Sequence, residues 1–418
     1  MTTDGGYRAL FRTPEFTPLF LASAAGIAAQ TVGGLALGTL VYRTTGSPLL
    51  SAVSMFGPTL AQVLGATLLL SGADRLPPRT TLAGVALAFA VATVLLAVPG
   101  LPMWAVLAVL LTEGLIASLG GGVRWGLLNE ILPEGGYLPG RSVFNMMVGI
   151  TQIAGYGAGG LLIGALSPRP ALLLAAALFA ASAAGLRLGL SHRPPRGTGR
   201  PSVAATWHTN ALLWSSRPRR LLYLGLWLPN GLVVGCESLF VSYAPDAAGP
   251  LFACAALGML AGDVTAGRLL PPAVRPRLIT PLLLLLATPY VLFVLRPALP
   301  VAAALVAVAS VGFGASLLQQ ERLMALVPDE LSGHALGLHS AGMLTLQGLS
   351  ATLAGTVAQL ASPATAMTVM ATASVAVTVT LALASGAAPT APTTPTDAER
   401  HLRREGAKRP GARRQWSG

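Results

Sequence analysis

The chain is predicted to be an all-α membrane protein, with about 12 transmembrane helices in two six-helix bundles related by a parallel repeat. Three observations predict this class. Of 418 residues, 53% are hydrophobic and only 10% charged, where a soluble domain carries roughly 25% charged residues. The hydrophobic residues are gathered into long runs. The basic residues fall almost wholly in alternate connections. A water-soluble core of this size cannot hide so much apolar surface. Lipid can, provided that each segment closes its own backbone hydrogen bonds, as a helix does.

The runs lie at 18–41, 49–70, 81–98, 103–123, 143–165, 170–190, 221–243, 249–269, 278–295, 299–318, 335–360 and 364–385. Each approaches the ~20 residues that a helix needs to cross ~30 Å of hydrocarbon. The third, ninth and tenth are near the lower limit. Turn and charge residues separate them: Arg43-Thr44-Thr45-Gly46-Ser47-Pro48, Asp74-Arg75-Leu76-Pro77-Pro78-Arg79, Pro99-Gly100 and Pro271-Pro272.

Orientation follows from Lys and Arg. An even number of spans puts both termini on one side. That side holds 24 of the 27 basic residues, and the other holds Arg43, Arg169 and Arg296. Both termini are therefore expected in the cytoplasm. The 26 arginines against one lysine suggest a GC-rich bacterial genome, so the expected location is the bacterial cytoplasmic membrane. Residues 1–16 are polar and no cleavable leader is expected.

The expected organisation is an N-terminal bundle at 1–190, a cytoplasmic linker at 191–219, a C-terminal bundle at 220–385 and a disordered basic tail at 386–418. Within the linker, 203–214 has the pattern of a short interfacial helix, with Trp207 and Trp214 on one face. The tail is Pro/Thr-rich and then basic, a composition suited to contact with anionic lipid. A weak internal repeat supports the division. A shift of 195 positions takes Pro133 to Pro328, Gln152 to Gln347, Gly160 to Gly355 and Ser167-Pro168 to Ser362-Pro363. Like-oriented halves are the parallel-repeat plan of one large class of secondary transporters.

Composition also excludes. The net charge of +12 does not indicate nucleic-acid binding, because the positive residues sit between apolar runs without interleaved aromatics. Cys236 and Cys254 lie inside apolar runs and form neither a metal spacing nor a disulfide framework. No Walker loop, HExxH or GxSxG occurs. No metal, cofactor or enzymatic activity is expected, and uphill transport would draw on an ion gradient. The expected partners are a small-molecule substrate, protons and the bilayer, with the chain as a monomer.

The segment Phe11-Arg12-Thr13-Pro14-Glu15-Phe16, with the span ending in Val41-Tyr42-Arg43-Thr44-Thr45-Gly46-Ser47-Pro48, resembles the start of siderophore- and drug-exporter-like members of the major facilitator superfamily. Arg124 to Pro133 resembles their connection between the fourth and fifth helices, and 203–220 the helix of their middle loop. The likeness covers about 15–386. It implies alternating access between two bundles. The loop after the second helix in this family reads Gly-x-x-x-Asp-Arg-x-Gly-Arg. Asp74, Arg75 and Arg79 fit it, while Leu70 and Pro77 replace glycines. The antiporter motif of the fifth helix, Gly-Pro-x-x-Gly-Gly, stands here as Gly155-Tyr156-Gly157-Ala158-Gly159-Gly160.

Ionisable groups inside a span are costly, so each is a functional candidate. Glu113 lies about ten residues into the fourth span, near the midplane. A carboxyl there is expensive to hold charged, which makes it a proton-carrier candidate. Glu237 is a second, in the outer third of span seven, facing water and one face with Asn230. Pro229-Asn230-Gly231 is expected to break that helix. Asp263, in the inner third of span eight, is a third candidate, with pairing to Arg268 or to a basic loop residue as the alternative. Gln30, Asn145, Gln152, Asn230 and Gln347 are candidates for the substrate cavity, against the alternative of bonding between helices. The resemblance implies a latch between the halves for Asp74, Arg75 and Arg79, and Arg124 at the end of span four joins that cytoplasmic cluster. An interfacial anchor is the alternative for Arg124. Gly155, Gly159 and Gly160 are expected to let helices approach closely and to serve packing and gating. The expected function is proton-coupled efflux of a small, partly apolar molecule. The alternatives are uptake or facilitated diffusion by the same fold, and a non-transporting membrane protein.

Overall fold

The computed structural model describes residues 7–73, 77–132, 137–194, 203–328 and 331–386. They form helices throughout. The N-terminal half consists of α1 (Phe16–Thr45), α2 (Pro48–Ala73), α3 (Pro78–Leu96), α4 (Met103–Ile131), α5 (Tyr137–Ala165) and α6 (Pro168–Gly189). The linker helix α7 (Val203–Ser215) follows, as its pattern predicts. The C-terminal half consists of α8 (Arg217–Glu237) with the short α9 (Phe240–Tyr243), α10 (Ala248–Val264), α11 (Arg275–Val291), α12 (Leu299–Val311) with α13 (Ala315–Ala325), α14 (Ser332–Leu360) and α15 (Pro363–Gly386). Every predicted run has its helix. Eleven of these passes are long and apolar enough to cross a membrane. The pass outside that set is α14, 29 residues long and rich in Gly, Ser, Thr and His. The chain is a multi-pass membrane protein.

The punctuation residues act as their chemistry requires. Proline opens α2, α3, α6 and α15, where its fixed φ suits the first turn and its missing N–H costs nothing. Gly46 ends α1 in the left-handed region at φ 63°, its N–H donating to the Tyr42 carbonyl at 2.8 Å. Pro48 then starts α2, so a two-residue corner reverses the chain. Several helices overrun their apolar runs. α4 continues through Arg124 to Ile131 because its last turns are amphipathic, with Leu127 and Leu128 buried and Asn129 and Glu130 exposed.

One expectation fails at α8. Pro229-Asn230-Gly231 does not break the helix, which runs unbroken to Glu237. The Pro229 carbonyl accepts a bond from the Ser374 hydroxyl at 3.2 Å, and Gly231 fits against the Leu346 backbone of α14. The helix stays unbroken between packed neighbours, and the interruption falls later, at Ser238-Leu239. The linker tryptophans also part company. Trp207 is exposed, while Trp214 stacks on Trp227 at 5.5 Å and docks α7 onto the C-terminal half. Arg219 fastens that dock by donating to the Leu212 and Leu213 carbonyls.

The halves meet along two antiparallel crossings, α5 with α10 and α2 with α14. The first runs from Gly160 against Gly249 through Tyr156 stacked on Phe252 at 4.8 Å to Gly149 against Leu260. The second runs from Gly355 against Leu49 to Gly348 against Leu60. At the end away from the chain termini, Arg43 pairs with Asp246 at 3.3 Å and the Ser47 hydroxyl donates to Gln359 at 2.8 Å. This far end is closed.

At the opposite end, Arg193 pairs with Glu15 and lies 3.8 Å from Glu130. Ser191 also donates to Glu15, at 2.6 Å. Partial burial would raise the Glu15 pKa, but the bonds and charge of Arg193 and Ser191 outweigh it and hold the carboxyl below its ordinary range. A lowered folded-state value stabilises above the unfolded value and is lost as pH falls through the folded one. Glu15→Gln should therefore lower the thermal midpoint in detergent at neutral pH, by the worth of about 1 kcal/mol. That gap from wild type should close on acidification; a gap that persists in acid would exclude the pair as its cause.

Closure at the far end depends on absent side chains. A Cβ on Gly249 would sit 2.9 Å from the Tyr156 carbonyl and 3.1 Å from the Gly160 nitrogen, both backbone atoms that cannot turn aside. Gly249→Leu is expected to force α5 from α10, an overpacking cost of about 1–3 kcal/mol. In a background lacking Cys236 and Cys254, the buried Thr39, changed to Cys, should then label with an impermeant maleimide from the far side. Unchanged protection of that thiol would show that the crossing is not what seals this end.

Candidate functional site

Four of the polar residues singled out in the sequence converge. Gln30 on α1, Glu113 on α4, Gln152 on α5 and Gln347 on α14 line one cavity of about 440 Å³, within the range of small-molecule sites. Helical spacing delivers them. On α1 the lining residues Gln30, Gly33, Gly34 and Leu37 recur at three and four positions, one stripe of the helix. On α4 the stripe is Leu110, Glu113, Gly114 and Ala117. The glycines leave the volume that the amides border. Gly114 also rests on the carbonyl of Pro58, drawing α4 against α2 beneath the cavity.

Glu113 is half-buried and has no hydrogen-bond or ion-pair partner among the described residues. It also borders an apolar groove of about 620 Å³ between α3 and α4, lined by Leu87, Val91, Leu95 and Phe89. The carboxyl thus stands where an inner polar cavity and an outer apolar groove meet. A second inner cavity of about 240 Å³ shares Gln30, Gln62, Phe89, Ala117 and Phe179 with the first and reaches Arg124. The symmetric pair Gln152 and Gln347 contributes one amide from each half to the main cavity.

The other candidates lie elsewhere. Glu237 does not face water. It is 7% exposed, closes α8, and its Oε1 has no partner among the described residues. Its carboxyl lies within Coulombic reach of Tyr156 and Tyr290. The carbonyl oxygen of Asn230, on the same face, is also buried and unbonded. Asp263 and Asn145 are exposed, at the terminal-side end of the α5 and α10 stripes. Asp263 does not pair with Arg268, whose guanidinium lies 3.7 Å from the Met146 sulfur. Asp74 and Arg75 lie outside the described residues. Arg79 donates to the Arg187 carbonyl within its own half. Arg124 faces the interior of the N-terminal half. Gly155 and Gly159 seat α5 on Thr31 and Val32 of α1, while Gly160 makes the crossing to Gly249.

Sequence reasoning passed over Gln62 and Thr59, which line the same cavity from α2. Gln62 carried the signal used for Gln30, an amide inside an apolar run. Phe89 and Phe179, in edge contact at 5.4 Å, carried none, since apolar residues in a span look alike whether they face lipid or a cavity. Among the described residues no cluster of His, Cys, Asp and Glu suits a metal ion.

No protein-family model and no curated relative matches the sequence. Solved structures do match in shape. The nucleoside transporter NupG superposes with TM-score 0.69 at 15% identity, covering 88% of this chain and 98% of that one. A POT family transporter in complex with 5-aminolevulinic acid gives 0.68 at 12%, covering 88% and 95%. The human organic anion transporter MFSD10 gives 0.62 at 18%, covering 88% and 99%. The chain therefore shares the fold of these transporters along nearly its whole described length.

Proposed function

We propose that the chain is a secondary transporter working by alternating access, which exports a small, partly apolar molecule in exchange for protons. One observation supports it above the rest. An unpartnered intramembrane carboxyl, Glu113, shares a cavity with amides from both halves, beneath an end that is closed. A site bordered by both halves changes its exposure when the halves rock about it. A carboxyl in that site gains or loses a proton at little structural cost, and its charge alters which state is favoured. The fold neighbours are transporters, and no nucleotide-binding loop is present in the sequence. Glu237, which is buried beside the crossing, and Asp263, at the end of α10, are secondary candidates for coupling. The Arg distribution supports placing the termini in the cytoplasm of a bacterial cell, which puts the closed end on the outer side of the membrane. The chain is taken to act as a monomer.

The test uses everted membrane vesicles under an imposed proton gradient and a panel of small amphipathic compounds. Wild type should accumulate at least one compound in a gradient-dependent way. Glu113→Gln should fall to the passive rate while eluting as a normal folded species. Equal gradient-driven accumulation by the variant would remove Glu113 from coupling. Whole cells that lose uptake when the chain is deleted would favour import instead.

A further inference from the structure

Among the described residues, the cavity within the N-terminal half is lined by a cation and by no carboxylate. Arg124 projects among α1, α3 and α6, beside Ser23, Gln30 and Ser182, and no Asp or Glu lines that space. It has no hydrogen-bond or ion-pair partner among the described residues. Among the described residues of the N-terminal half, the carboxylates at the terminal-side end, Glu15 and Glu130, both lie beside Arg193. Arg124 stands seven residues before the end of α4, roughly 10 Å inside it. A guanidinium turned into a cavity of the bundle gives up water, which is costly unless something repays its desolvation.

The rest of the space says what would repay it. Eleven residues separate Glu113 and Arg124 on α4, three helical turns, so both face one way about 16 Å apart. Between them lie Phe89 and Phe179, which border both inner cavities. Phe89 also lines the apolar groove outside. A single positive group, a few neutral donors and acceptors, then an aromatic passage leading to hydrocarbon match one kind of molecule.

We propose that Arg124 anchors an anion subsite and that the transported compound is an amphipathic organic monoanion. Its carboxylate sits on the Arg124 guanidinium, with Ser23 and Gln30 beside it, and its apolar body lies along Phe89 and Phe179 toward Glu113. This rests on the transport reading above and narrows its substrate class. One guanidinium accepts one such head in a bidentate way; a dianion would leave a buried charge unpaired.

The test is binding, independent of transport. The full chain, purified in dodecyl maltoside, is titrated with alkyl and aryl monocarboxylates, each against its matched primary amide, following thermal midpoint and Kd. At least one carboxylate should bind more tightly than its amide. Arg124→Gln should raise that Kd by roughly 10- to 100-fold and erase the preference, while Arg124→Lys keeps part of it. Glu113→Gln should retain the preference, which separates the two hypotheses. Loss of gradient-driven flux with an intact preference would sink proton coupling alone. No carboxylate outperforming its amide, or a preference that survives in Arg124→Gln, would overturn the subsite. Stabilisation by phosphatidylglycerol alone, lost in Arg124→Gln, would also overturn it, by assigning the arginine to a lipid headgroup.

Discussion

The arrangement depends on how closely two backbones approach at the far end. Gly160 and Gly249 bring α5 and α10 together with no side chain between them, and Gly355 seats α14 on the backbone of Leu49 in α2. Gly160 and Gly355 are related by the internal repeat, so one device closes both crossings. The polar clasps beside them are secondary. Asp246 is 93% exposed in its pair with Arg43, and an exposed pair is worth about 0–1 kcal/mol. A backbone contact without spare volume does not yield by degrees. Packed interfaces of this kind switch between discrete arrangements, which is the behaviour that alternating access requires.

The two halves divide the labour unequally. In the pass formed by α8 and α9, 83% of the most apolar window is buried, against 38% for α4. Phe240, Tyr290 and Phe293 are fully buried around that pass and in ring contact. The N-terminal half is hollow by comparison, its cavities bordered by glycine, alanine and amides. In the proposed alternating access, a filled half would serve as a firm body for the hollow one to move against. It also accounts for the unbroken run of α8 through Pro229, since neighbours on both sides support the backbone there.

The fold was legible because lipid imposes one rule on every span, and that rule acts on short stretches of sequence. Twelve apolar runs became twelve helical passes, and the repeat that pairs Gln152 with Gln347 put both amides in one cavity. The site was legible only in part. A carboxyl or amide inside an apolar run announces itself, as Gln30 and Glu113 did. Its direction does not, because helices this apolar lack a strong polar face to fix their rotation. Glu237 therefore went into a packed core and not toward water. Arg124 looked like an end-of-helix anchor because the apolar run stops there, while the helix continues to Ile131. Phe89 and Phe179 take their meaning only from what stands opposite them.

The distance between Glu113 and Arg124 bears on how coupling works. Two unit charges about 16 Å apart interact by about 1 kcal/mol at an effective dielectric of about 20. A proton on Glu113 therefore changes the affinity for an anion at Arg124 by about five-fold through direct charge alone. Moving a two-state equilibrium from one side to the other takes about 5.5 kcal/mol. Direct attraction is too weak to link the two loads. It also favours loading them together, whereas exchange requires that they alternate. The linkage has to run through the halves themselves: each load must bind one arrangement of the glycine crossings better than the other. The proposed role of Glu237 in coupling fits that requirement, since it is buried within Coulombic reach of Tyr156, whose ring is stacked on Phe252 across the same crossing. On the proposed exchange, charge in the hollow half would select the cargo, and packing at the far end would set when it moves.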